Sequence, residues 1–190
     1  MTRTALLLAG IALMSGCGSD PIATQTDARL EPSTTALAGK RQVSSVADDL
    51  ATLRHVTAPF RDFDVATAAG WSAKITDCMA SHEGGMGFHY GNPALIDGVA
   101  RVNEPELLLY EPDHNGRLRL VAVEYIIPYT ALSRESTPPQ LFGREFKQND
   151  VFQLWGLHAW VWKENASGIF ADWNPAVSCA QATHQSTMSH

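Results

Sequence analysis

What the chain lacks narrows its chemistry. A helix that crosses a bilayer needs about twenty apolar residues, and the run from Ala5 to Met14 is half that length. Basic residues are few: 14 Lys and Arg face 20 Asp and Glu, a formal net charge of −6. Nucleic acid is therefore not an expected partner, because its phosphates call for a basic surface. There are three cysteines and no C-x-x-C pair, which removes a dithiol redox motif. A Gly-x-Ser-x-Gly elbow, a P-loop and a dinucleotide fingerprint are absent as well. His82-Glu83 has no second histidine four residues after the first, so it is not a zincin motif. No internal repeat is visible.

What is present begins with a leader. Arg3 precedes the apolar run, which ends in Ser15-Gly16-Cys17. Met14-Ser15-Gly16-Cys17 resembles the lipobox of bacterial lipoproteins, with Met14 where Leu is usual. The resemblance implies cleavage after residue 16, lipidation of Cys17 and a domain held at the cell envelope through an N-terminal lipid, with the membrane as its partner. Gly18 after the cysteine implies the outer membrane in a double-membraned host. Removing Arg3 leaves 13 basic and 20 acidic residues, a net charge of −7. Such a domain gains nothing from an anionic surface, which leaves the lipid as its anchor.

Lipidation would leave Cys78 and Cys179, in a compartment that favours oxidation. A disulfide between them is expected; two buried thiols are the alternative.

From Gly18 to Gln42 the chain is rich in Ser, Thr, Ala, Asp and Pro, and it reads as a solvated tether. The roughly 145 residues from Val43 onward suffice for one domain over residues 43–190. Val43, Val46, Leu50, Leu53, Val56, Phe60, Phe63 and Ala66 recur every three or four residues, which predicts amphipathic helices divided at Pro59. Ser44 or Ser45 is the expected cap of the first, and Gly70 the end of the second. Strand-forming residues follow over Glu106–Tyr110, Leu118–Ile127 and Val151–Lys163, with a turn at Asn115-Gly116. The expected fold class is α+β: N-terminal helices packed on a mainly antiparallel sheet, whose closure toward a barrel the sequence leaves open.

Three segments could carry chemistry. In Ser81–Tyr90 three glycines surround His82, Glu83, Met86 and His89, which suggests a shaped loop. Met86 and His89 could offer sulfur and nitrogen to copper; His89 alone would suit zinc, nickel or iron. In Phe152–Trp162, alternation places His158, Trp160 and Trp162 on one strand face. In Leu118–Ile127 it groups Glu124 with Leu118, Leu120, Ala122 and Ile126, so a carboxylate faces a core and must be paired, metal-bound or protonated. Glu106 raises the same question. For each histidine, a ring satisfied by the protein itself is the alternative. His89, His158 and Glu124 form a two-imidazole, one-carboxylate set suited to zinc or non-haem iron. They are 35 and 34 residues apart, so the grouping rests on strand faces, without a local motif. Met86, Tyr90 and Trp160 are the expected lining of an organic or metal-ligand pocket. Asp113–Gly116 reads as a turn, Asp172–Pro175 as a bend that brings Cys179 to its partner, and His184, Met188 and His190 as a polar tail.

Phe88–Pro93, Leu141-Phe142-Gly143, Leu157–Trp162 and Phe170–Pro175 through Cys179 resemble segments of exported bacterial proteins of unknown function. The resemblance spans Val56 to Cys179 and implies domain limits but no activity. The expected function is a small-ligand or transition-metal-binding domain (copper, zinc or iron). An enzyme using His158 or His89 as general base and Glu124 as acid or metal ligand is the second reading, and a purely structural domain the third.

Overall fold

The computed structural model of the chain describes residues 34–182. The leader, Cys17, the first part of the tether and His184, Met188 and His190 lie outside the described residues. Among those described, no helix is long and apolar enough to cross a membrane.

Helix α1 spans Thr34–Thr57. It starts inside the stretch read as tether, where Ala36, Leu37, Ala38, Lys40, Arg41 and Gln42 are all good helix formers. Ser44 and Ser45, the expected cap, are consequently interior to the helix. At the far end, Thr57 Oγ1 donates to Leu53 O at 2.6 Å, and Pro59 then turns the chain through a 3-10 segment, Ala58–Arg61. Asp62 caps the short helix α2 (Phe63–Ala68) by accepting from the Asp64 N–H at 3.0 Å. Gly70, at φ +114°, leads the chain into the sheet.

Six strands form that sheet: β1 (Ala73–Ser81), β2 (Gly84–Gly91), β3 (Leu107–Pro112), β4 (Leu118–Pro128), β7 (Lys147–Asn149) and β8 (Leu154–Ala159). Their order is β1-β2-β3-β4-β8-β7 and every neighbouring pair is antiparallel. A separate hairpin pairs β5 (Gln140–Leu141) with β6 (Arg144–Glu145). The sheet curls into a half-barrel, with β1 and β7 as unjoined edges. The turn at Asn115-Gly116 is present: Asp113 O accepts from Gly116 N, and Asp113 Oδ1 accepts from Asn115 N and Arg117 N.

Alternation gives the sheet two buried faces. One carries Leu108, Tyr110, Val123, Tyr125, Ile127, Trp155 and Leu157, in one cluster with Leu53 and Ala66. Each large apolar side chain removed from water there contributes about 1.5–3 kcal/mol, and the polar tips are satisfied: Tyr110 Oη donates to Phe60 O at 2.6 Å and Trp162 Nε1 to Thr57 Oγ1 at 3.0 Å. The other face carries Leu107, Leu109, Ala122, Ile126 and Trp160.

A C-terminal strap, residues 171–179, lies against this second face. Trp160 Nε1 donates to Ala171 O at 2.6 Å, Asn174 bridges to Gly85, Val177 joins the second cluster, and Cys179 is bonded to Cys78 on β1. The glycine-rich segment, expected as a shaped loop, is therefore strand β2 and the tip of its hairpin. Its glycines answer to a neighbour: a Cβ on Gly84 would stand 2.3 Å from Asn174 O, and one on Gly85 2.7 Å from the Val177 side chain. Strand β8 is also shorter than expected. Asn149 Oδ1 accepts from Phe152 N at 3.1 Å and Gln153 takes φ +56°, so Val151–Gln153 is a turn.

Candidate metal centre

His89, Glu124 and His158 come from β2, β4 and β8. Glu124 and His158 are direct cross-strand partners. His89 lies opposite Leu109, itself opposite Ala122, so its ring reaches Glu124 diagonally across β3. Period-2 alternation puts all three on the second face. Their nearest donor atoms lie within 4.8 Å of one another. His89 Nε2 is 3.5 Å and His158 Nε2 3.8 Å from the same oxygen, Glu124 Oε2.

These gaps exceed a charge-assisted hydrogen bond, which closes to about 2.7–2.9 Å. They resemble the spacing around an ion: donors each about 2.1 Å from a tetrahedral centre stand roughly 3.4 Å apart. His158 Nε2 is buried without a hydrogen-bond partner among the described residues, a cost of about 1–3 kcal/mol unless something binds it. Gly156 leaves room for the carboxylate, since a Cβ there would meet Glu124 Oε1 at 2.9 Å. The outer ring nitrogens face other groups. Thr76 Oγ1 lies 2.8 Å from His89 Nδ1, and Asp172 Oδ1 lies 3.9 Å from His158 Nδ1 while its other oxygen accepts from Lys147 at 2.9 Å.

Burial sets the protonation of the group. It pushes His89 down to about 3, helped by neighbouring His158 and opposed by a hydrogen bond to the Gly87 backbone. It pushes His158 down to about 4, with the Lys147 charge acting in the same direction. It lifts Glu124 to about 8, helped by the negative charges of Asp172 and Glu106. Two neutral imidazoles beside a carboxyl that ionises readily only next to a cation make a group that could hold a metal ion.

The remaining expected residues fall elsewhere. Tyr90 follows His89 directly and so turns to the opposite face, where its ring meets Phe63 at 4.6 Å and Tyr110 at 5.9 Å. Met86 packs with the second apolar cluster, and Trp160 lies nearly parallel to His158, 6.3 Å between centroids and 12° between planes. The three do not build one pocket, because Tyr90 packs with the first apolar cluster whereas Met86 and Trp160 pack with the second. A groove of 1840 Å³ lined by Arg61, Tyr90, Leu120 and Trp162 opens elsewhere, and His89, Glu124 and His158 do not line it. Glu106 is fully buried outside the group; its Oε2 accepts from Ile126 N at 3.2 Å, its Oε1 has no partner among the described residues, and burial lifts it to about 8. Thr76, Asp172 and Gly156 were not singled out in the sequence: Ala73–Ser81 was not read as a strand, and Asp172 was read as part of a bend. Comparison of the chain with protein-family models, with curated proteins and with solved structures finds no match in any of the three.

Proposed function

We propose that the chain is a cell-envelope lipoprotein, anchored through Cys17, whose domain binds one zinc or iron(II) ion with His89, His158 and Glu124. The observation that carries the metal reading is the convergence of two buried Nε2 atoms on one carboxylate oxygen, with His158 Nε2 otherwise unpartnered among the described residues. Two nitrogens and a carboxylate oxygen suit zinc or iron(II), whereas copper(I) selects sulfur, and no sulfur belongs to the group. The leader supports the address, and the Cys78–Cys179 bond suits an oxidising compartment.

Elemental analysis of protein isolated from the envelope without chelators is the test. The expected result is close to one zinc or iron per chain, lost in His89→Ala, His158→Ala and Glu124→Gln. Because Glu124 is neutral in the metal-free fold, the isosteric Glu124→Gln should fold as well as the parent while losing the ion. Wild-type protein that stays metal-free after incubation with zinc, iron(II) and copper would overturn the reading, as would equal metal content in the parent and all three variants. Mass spectrometry of the N-terminal peptide tests the address: lipidated Cys17 is expected, and an unmodified Cys17 would refute it.

A further inference from the structure

A histidine that binds metal through one nitrogen is oriented by whatever its other nitrogen touches. The two imidazoles differ in this respect. His89 Nδ1 has Thr76 Oγ1 at 2.8 Å, within hydrogen-bond range, whereas Asp172 Oδ1 stands 3.9 Å from His158 Nδ1, beyond it. Asp172 is also held by Lys147, which fixes its carboxylate toward the surface.

The local backbone points the same way. Thr76 is the cross-strand partner of His89, and the pairing of β1 with β2 is irregular on both sides of it, between Lys74 and Thr76 and between Thr76 and Met79. Such irregularities re-aim a side chain relative to a regular ladder. Two residues further on, Cys78 ties β1 to the strap, so the strand that carries the hydroxyl is anchored at the sheet edge. Thr76 supplies the side-chain hydrogen bond to the His89 ring among the described residues.

We infer that Thr76 is the positioning residue of this centre: its hydroxyl accepts the His89 Nδ1 proton, so that Nε2 presents a bare lone pair toward Glu124. Asp172, 3.9 Å from His158 Nδ1 and beyond hydrogen-bond range, orients that ring less. The inference rests on the metal reading above, but it also makes a claim about the metal-free ring. With Nδ1 protonated, Nε2 cannot donate to Glu124, in keeping with the 3.5 Å gap between them. Without the hydroxyl, the Gly87 backbone remains as a partner of the ring but Nδ1 loses its side-chain acceptor, so the form protonated at Nε2, whose lone pair is turned away from the site, gains population.

Two measurements on the full domain test this. Long-range proton–nitrogen NMR of metal-free protein reads the tautomer. Wild type and Thr76→Ser should show His89 protonated at Nδ1, and Thr76→Val should show a substantial Nε2-protonated population. Competition with a chromogenic chelator for zinc reads the affinity. Thr76→Val should weaken it by roughly 10–100-fold, the usual effect of losing an outer partner. Thr76→Ser should stay within about threefold of wild type, and Asp172→Asn should lose less than Thr76→Val. If Thr76→Val does not fold, Thr76→Ala takes its place. The same tautomer in wild type and Val variant, or equal zinc affinity in the two, would overturn the role of Thr76 while leaving the site itself intact. A wild type that binds no zinc, iron(II) or copper fails the metal reading instead, and the NMR comparison still decides the tautomer.

Discussion

Three buried ionisable groups around one point give the metal-free protein a stability that falls on both sides of a window. Glu124 is lifted from 4.5 to about 8, so the stability it contributes is fully present below about pH 4.5 and is lost as pH rises through about 8; Glu106 acts with the same sign. His89 and His158 are held down from 6.5 to about 3 and about 4, so theirs is present above about pH 6.5 and is lost as pH falls through those values. Metal-free protein should therefore be most stable between about pH 4.5 and 6.5, and an unfolding midpoint that climbs steadily from there to about pH 9 would contradict the assignment. Bound metal favours the ionised carboxylate and should flatten the alkaline side. Gly156→Ala isolates the same carboxylate by geometry. The added Cβ would stand 2.9 Å from Glu124 Oε1, the end of a flexible side chain that can give way. Stability should change by no more than about 1 kcal/mol, while zinc affinity falls by roughly tenfold or more. Denaturant unfolding together with chelator competition checks both, and unchanged affinity would show that the carboxylate does not need that space.

The strap and strand β2 depend on each other. Gly84 has φ +129° and would place a Cβ 2.3 Å from a backbone oxygen of the strap, which cannot yield as a side-chain tip can. Gly84→Ala should cost about 3 kcal/mol, combining a sparsely populated backbone region with displacement of the strap; calorimetry would read it, and a loss below about 1 kcal/mol would mean the strap moves freely. This dependence also explains what the sequence could and could not disclose. Alternation is readable over Ala122–Ile127, where Glu124 shares a face with Ala122 and Ile126. The register shift opposite Leu109 and Tyr110 turns Leu118 and Leu120, expected beside Glu124, to the first face, and past the end of β8 Trp162, expected beside His158, joins that first face as well. The Asn115-Gly116 turn was readable because its backbone chemistry is local. Gly84–Gly91 was not readable as a strand, since glycine carries no side chain to alternate and the reason for it lies about ninety residues away in the strap. Val151 and Phe152 extended the apparent strand although they sit in a turn, where Val151 is 86% exposed. Thr76 and Asp172 acquire meaning only once β1 and the strap are set beside the histidines.

Across the whole molecule, the Cys78–Cys179 bond joins residues 101 apart. In the chain-entropy account a loop of that length contributes up to about 4.7 kcal/mol. Reduction should lower the unfolding midpoint, and a midpoint insensitive to reductant would show that the rest of the fold already confines the chain. The placement of that bond has a further consequence, which concerns time. His89, Glu124 and His158 all precede residue 159, whereas the strap and its cysteine come last, so during folding these groups can come together before the latch is fastened. Occupancy at equilibrium would then be a property of the three ligands, and residence a property of the latch. Ion supplied before oxidation should leave slowly when a chelator is added, and reductant should hasten its departure; equal release rates in both redox states would separate the two. A compartment that oxidises thiols would thus turn a readily exchanging cation into a long-lived resident without altering any bond to it.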